Sequence, residues 1–199
     1  MIKKILALAI VLITVLVVFA GCNGTNKTDD SPPSDFEETS SSNSSLKETP
    51  TGDFEYGYNA ELSGVVIKKY IGTSMSVHIP KKIEGDPVVS IGEKAFQYSG
   101  IMEIYIPNGV TQIGGDAFSY CTGLTSVTIP DSVTQIDAWA FTGCLGLTNI
   151  TIPDSVREIE SEVFSYCTGL TNATYKGKTY DLSITDGRQG LHRAINSGQ

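Results

Sequence analysis

Histidine is nearly missing from these 199 residues, with only His78 and His192, and none of the four cysteines forms a Cys-x-x-Cys pair. Neither histidine falls in a motif with a nucleophile and an orienting acid, so no hydrolytic or transfer site is legible. The cysteine spacing gives no zinc site either, and no glycine-rich phosphate loop is found. Lys/Arg clusters are also lacking, and 14 basic residues face 22 acidic ones for a net charge of −8. Nucleic-acid binding depends on phosphate neutralisation, so this balance argues against it. The expectation is no catalytic residue, no metal, no cofactor and no nucleic-acid partner. No apolar run is long enough to span a membrane: the stretch from Ile5 to Phe19 has about 15 residues, short of the roughly 20 that a spanning helix needs.

That stretch follows the basic segment Met1-Ile2-Lys3-Lys4 and leads into Phe19-Ala20-Gly21-Cys22. Basic and then apolar is the layout of a secretory signal. The last four residues resemble the lipobox of bacterial lipoproteins, with Phe19 in place of the usual Leu and the small-small-Cys core intact. The resemblance implies a signal peptide over 1–21, cleavage before Cys22 and a lipid on its sulfur, so that the protein is exported and anchored to a bacterial membrane. Residues 22–52 then hold the lipidated Cys22 and a tether rich in Ser, Thr, Asn, Asp, Glu and Pro, with Phe36 and Leu46 as its only large apolar side chains. Such a composition buries too little surface to offset its ordering entropy, which predicts disorder.

The main signal is a repeat. Ile106-Pro107-Asn108, Ile129-Pro130-Asp131 and Ile152-Pro153-Asp154 open three units with a 23-residue period. Phe118, Phe141 and Phe164 recur in register, and so do Cys121, Cys144 and Cys167. An earlier, imperfect unit opens at Ile79-Pro80, carries an insertion around Glu84–Pro87, and still reaches Ala95-Phe96. The pattern resembles leucine-rich repeats of the Treponema pallidum type, also called BspA-like, over residues 64–175. The resemblance implies an α/β-type solenoid of short parallel strands, about five coils with caps.

The residue types support this reading by themselves. Leu124, Val127 and Ile129 face one way and Ser126 and Thr128 the other, as in a half-buried strand. Pro130 closes that strand because it cannot donate to a ladder, and Pro130-Asp131-Ser132 is turn chemistry. Val133 and Ile136 form a second inward segment, Phe141 places a ring in the interior, and Gly143 or Gly146 lets the chain swing back. One unit cannot cover its own apolar side, so units must stack. Strands are expected at Ser74–Ile79, Ile101–Ile106, Leu124–Ile129, Leu147–Ile152 and Leu170–Tyr175, in a solenoid over 74–175. Residues 53–73 suit an N-terminal cap. Residues 176–199 suit a C-terminal one anchored by Leu182, Ile184, Leu191 and Ile195.

Phe96, Phe118, Phe141 and Phe164 are expected to form one interior column. The cysteines admit a buried ladder, one disulfide or a metal site; their odd number and parallel inward direction favour the ladder. Asn108, Asp131 and Asp154 would stack as a carboxylate-rich row suited to calcium, but each sits in a turn that wants an Asx residue. The outward alternation gives a candidate binding face of Ser76, His78, Glu103, Tyr105, Ser126, Thr128, Asn149, Thr151, Asn172 and Thr174. It is polar and nearly uncharged, and Tyr105 beside His78 is its one anchor-like point. The BspA-like resemblance, in a family with members linked to attachment, implies a surface adhesion module for a protein or glycan ligand. A spacer lipoprotein of the envelope without a specific ligand is the alternative. The sequence leaves the oligomeric state open.

Overall fold

The computed structural model describes residues 47–197. The expected signal segment 1–21, Cys22 and the tether to residue 46 lie outside the described residues. No helix among those described is long and apolar enough to cross a membrane.

The chain begins with a hairpin of β1 (Phe54–Asn59) and β2 (Gly64–Tyr70). It then winds into coils, each contributing one short strand to each of two ladders. The first ladder takes β3 (Ser76–His78), β6 (Glu103–Tyr105) and β8 (Ser126–Thr128), in parallel register with His78, Tyr105 and Thr128 aligned. It resumes with β10 (Asn149–Ile152) and β12 (Asn172–Tyr175), also parallel. The second ladder runs from the hairpin through β5 (Asp86–Ile91), β7 (Gln112–Ile113), β9 (Gln135–Ile136) and β11 (Glu158–Ile159). The fold is a solenoid of about five turns with a period of about 23 residues.

Each first-ladder strand is three or four residues long, shorter than the six-residue spans expected. The flanking positions bend into corners, and Pro80, Pro107, Pro130 and Pro153 end the pairing because they lack an N–H. This ladder is also not continuous, since β8 and β10 are unpaired. Val127 in the middle of β8 is half-buried where Ile104 and Ile150 are buried. Size is not the reason, since Val77 and Ala173 at the equivalent positions are fully buried; Val127 lies at the break in the ladder.

The insertion around Glu84–Pro87 is a hairpin joining β4 (Lys82–Ile83) to β5. Glu84 and Gly85 both have positive φ, 54° and 95°, as a tight two-residue hairpin turn requires.

A third side of each coil is made by the segments before and after each interior phenylalanine. Lys94, Asp116, Trp139 and Glu162 are left-handed, with φ of 59°, 55°, 58° and 60°, and four residues later so are Tyr98, Tyr120, Gly143 and Tyr166. Gly143 holds the position expected to swing the chain, yet tyrosine occupies it in the other coils. Left-handed non-glycine residues cost about 1–2 kcal/mol each, offset here by hydrogen bonds between coils. The Asp116, Phe118 and Tyr120 N–H groups donate to the carbonyls of Ala138, Ala140 and Thr142 at 3.1, 2.7 and 2.7 Å. The same three positions are paired in the coils before and after.

Both ends are covered. Tyr70 stacks on Phe96, 5.4 Å between centroids, and closes the core at the hairpin end. At the other end β13 (Lys178–Asp181) pairs antiparallel with β12, and helix α1 (Thr185–Asn196) packs against β11, β12 and β13. Leu182, Leu191 and Ile195 are buried, as expected of anchors. Ile184 is not: it stands extended just before α1 and is 52% exposed, and Tyr180 on β13 lies inside instead. Gly187 lets α1 approach closely, because a Cβ there would collide with the Asp181 backbone.

Part of the stretch expected to be tether, residues 47–52, lies among the described residues. Thr49 is buried on the free edge of β3. Its N–H donates to the His78 carbonyl at 2.8 Å, and the His78 N–H donates to its Oγ1 at 2.9 Å. A polar segment can cover a strand edge through its backbone, which composition does not reveal.

Candidate functional site

The first ladder presents the outward residues. Ser76, Glu103, Tyr105, Ser126, Thr128, Asn149, Thr151 and Asn172 are exposed, while His78 and Thr174 are half-buried. Alternation along the strands produces this, with Val77, Ile104, Ile150 and Ala173 turned into the core. Thr174 loses exposure because β13 lies alongside, setting Thr179 opposite with 3.4 Å between the hydroxyls.

Cross-strand register brings His78 and Tyr105 together as stacked rings, 4.3 Å between centroids and 10° between planes. Ser76 Oγ donates to Glu103 Oε2 at 3.3 Å in the neighbouring row. The pairing of Thr49 with His78 holds the strand beneath this pair from its outer side. The break between β8 and β10 separates it from the Asn149, Thr151, Asn172 and Thr174 half of the face.

The structural ladder residues are all brought together. Phe96, Phe118, Phe141 and Phe164 form one interior column with successive centroids 5.1, 5.1 and 5.9 Å apart. Cys121, Cys144 and Cys167 are buried and free. Each thiol donates to a backbone carbonyl one coil back: Cys121 to Phe96 at 3.0 Å, Cys144 to Phe118 at 3.2 Å and Cys167 to Phe141 at 2.9 Å. Burial pushes the Cys121 thiol up from its ordinary value. The neighbouring Cys167 sulfur and burial together push up Cys144. Such thiols are poor nucleophiles. Among the described residues, no group of three or more His, Cys, Asp or Glu is arranged to hold a metal.

Asn108, Asp131 and Asp154 lie exposed in turns. Asp154 accepts the Lys176 N–H at 3.1 Å, the service an Asx side chain performs for nearby backbone.

The family model for the BspA type leucine rich repeat region matches residues 89–184, in six copies. Among solved structures, the T. pallidum leucine-rich repeat protein is 30% identical with a TM-score of 0.56, the match covering 64% of this chain and 71% of that one. The chain belongs to the BspA-type leucine-rich repeat family. A leucine-rich repeat protein from Bacteroides capillosus is 28% identical with a TM-score of 0.59, over 65% of this chain and 98% of that one. No curated protein matches the sequence.

One feature of this BspA-type chain escaped sequence reasoning. Tyr98, Tyr120 and Tyr166 stand exposed on the outer ridge, and Tyr98 and Tyr120 stack at 5.2 Å. The signal was present in the repeat, two positions after each phenylalanine. It was masked by Gly143, where a Cβ would meet the Tyr120 ring at 2.7 Å.

Proposed function

We propose that this protein is a non-catalytic binding module, exported and held on the outside of a bacterial membrane by a lipid on Cys22. Its first-ladder face contacts a protein or glycan ligand, weakly at each copy and usefully in many. The observation that carries this reading is the His78–Tyr105 stack, a flat ring pair set among small polar side chains. Aromatic anchors of this kind dominate binding energy at interfaces, and a ring platform beside hydroxyls suits either a sugar face or a peptide. Ten outward residues fall well short of the roughly 20–30 per side of a stable protein interface, so avidity supplies the rest. Membership in a bacterial repeat family supports display outside the cell.

A spacer without a ligand is the second reading, favoured by a face on which Glu103 is the only carboxylate and Ser, Thr and Asn predominate. A glycan array and a cell pull-down with the full chain separate the two. Binding predicts that Tyr105→Ala, or a charge introduced by Ser126→Lys, lowers attachment at least about tenfold, a loss of about 1.4 kcal/mol, with an unchanged circular dichroism spectrum. Attachment indifferent to both changes, but altered by shortening residues 23–46, supports the spacer.

A further inference from the structure

The caps replace the missing neighbour of the last coil on two of its three sides. Strand β13 covers β12, and the Asn196 side chain serves β11. On the interior column, Arg188 Nη1 donates to the Phe164 carbonyl at 3.2 Å, taking the place that a cysteine thiol holds on the three carbonyls before it.

The third side has no substitute. In the preceding coil the N–H groups of Trp139, Phe141 and Gly143 donate to Ser161, Val163 and Ser165. The equivalent N–H groups of Glu162, Phe164 and Tyr166 have no partner among the described residues. They point the same way at alternate residues, and Glu162 and Tyr166 keep the left-handed φ that aims them. Beside them, between this segment and α1, lies a cleft of about 720 Å³ lined by Val163, Phe164, Leu182, Arg188, Leu191 and His192.

We propose that this open edge docks an extended peptide segment of another protein, which continues the stack as one further coil would. The three N–H groups donate to the carbonyls at positions i, i+2 and i+4 of the peptide, and the middle side chain enters the cleft beside Phe164. Two observations point to this occupant. The edge is continuous with a coil-to-coil interface that has the same three hydrogen bonds in each preceding coil. The polarity is also complementary: aligned N–H dipoles carry partial positive charge, which suits peptide carbonyls, and Arg188 and Arg193 border the cleft together with Glu160 and Glu162. Neither carboxylate occupies the open N–H groups: Glu162 accepts from the Ser165 hydroxyl and Glu160 from the Ala138 N–H. A second copy of this chain does not fit through its own equivalent segment. There the Ala95 carbonyl is taken by the Tyr70 N–H at 2.7 Å, and Phe96 is covered by Tyr70 and Phe54.

The probe is a fluorescent peptide of residues 114–124 in its Cys121→Ser form, the stretch whose Gly115, Ala117 and Ser119 carbonyls already meet such donors within the fold. Titrated into the full chain in detergent, it raises anisotropy below about 1 mM and slows amide exchange of Glu162, Phe164 and Tyr166 at least tenfold. A shuffled peptide does neither. Gln189→Trp, an exposed helix position facing the cleft, removes the binding. No anisotropy change up to about 1 mM, protection at other amides, or equal binding by the shuffled peptide or the Gln189→Trp chain overturns the proposal. The exchange measurement on the unaltered chain decides it without any variant.

Discussion

Asn196 acts on Ile159 as a neighbouring strand would. The Ile159 N–H donates to Asn196 Oδ1 at 2.9 Å, and Asn196 Nδ2 donates back to the Ile159 carbonyl at 2.9 Å. One carboxamide thus ends the second ladder by satisfying both backbone groups of its last residue. Asn196→Ala leaves both unpaired under α1 and is expected to cost about 1–3 kcal/mol. Urea unfolding measures it, and Asn196→Asp, which keeps only the acceptor, should fall between the two.

The phenylalanine column predicts a gradient. Phe141 is stacked on both sides and fully buried, whereas Phe164 has one ring neighbour and is 8% exposed. Phe141→Ala should cost about 3–5 kcal/mol, and Phe164→Ala distinctly less. Equal losses in denaturant titrations would mean that ring stacking between coils is not what the core depends on.

Ser132 and Ser155 occupy the same place in successive coils and differ in what they touch. Ser132 Oγ donates to the Val110 carbonyl at 2.7 Å and accepts the Gly109 N–H at 3.0 Å. Ser155 Oγ is buried without a partner. Ser132→Ala should therefore cost about 1 kcal/mol or somewhat more, while Ser155→Ala should be neutral or stabilising. A thermal-shift comparison of the two variants is sufficient.

Asp137 introduces a pH dependence. Burial holds its carboxyl above the usual aspartate range. The Gln112 and Gln135 amides oppose that shift, while Glu160 and Glu158 add to it. A carboxyl whose folded pKa is raised weakens the fold once the pH exceeds that value, and the penalty disappears as the pH falls and the group takes up its proton. Asp137→Asn, with one of the two Gln amides turned to accept from the new NH2 group, should thus raise the melting temperature at pH 7, with the advantage shrinking toward about pH 4.

The thiol ladder makes a chemical prediction. Ser99 stands one coil before Cys121, its Oγ 3.4 Å from that sulfur, so a hydroxyl is already accommodated in this row. Cys144→Ser should be mild, and Cys144→Val removes only one of the two donors to the Phe118 carbonyl, which keeps the Cys121 N–H at 3.1 Å, so it should cost no more than about 1 kcal/mol. In the native protein Cys121, Cys144 and Cys167 should resist a thiol reagent and become reactive only on unfolding.

What is legible in the sequence is what side chains encode at a fixed period. Phe118, Phe141 and Phe164 announce the column because only a ring recurring every 23 residues fills it. The outward placement of Ser126 and Thr128 follows from strand alternation. Hidden from view was whatever the backbone does for itself. The second inward segment shows in Val133 and Ile136, but its pairing into a ladder does not, because the strands are only two residues long at β7, β9 and β11. Thr49 seals β3 through its N–H and hydroxyl, and Arg188 fills a carbonyl slot that the repeat assigns to cysteine. Ile184 looked like an anchor by hydropathy alone, and the start of α1 turned it outward.

Besides burying Tyr180, Leu182, Leu191 and Ile195, the C-terminal cap grips main-chain atoms of the solenoid: the Ile159 amide and carbonyl, the Phe164 carbonyl, and the Thr171 carbonyl that accepts the Leu182 N–H at 2.7 Å. Counterparts of these atoms recur one period earlier whatever side chains the unit carries. Excising or duplicating a whole unit would therefore present the same fittings to the same cap. Copy number becomes an adjustable dimension, and the reach of the domain can change in steps of one coil without redesign of its terminus.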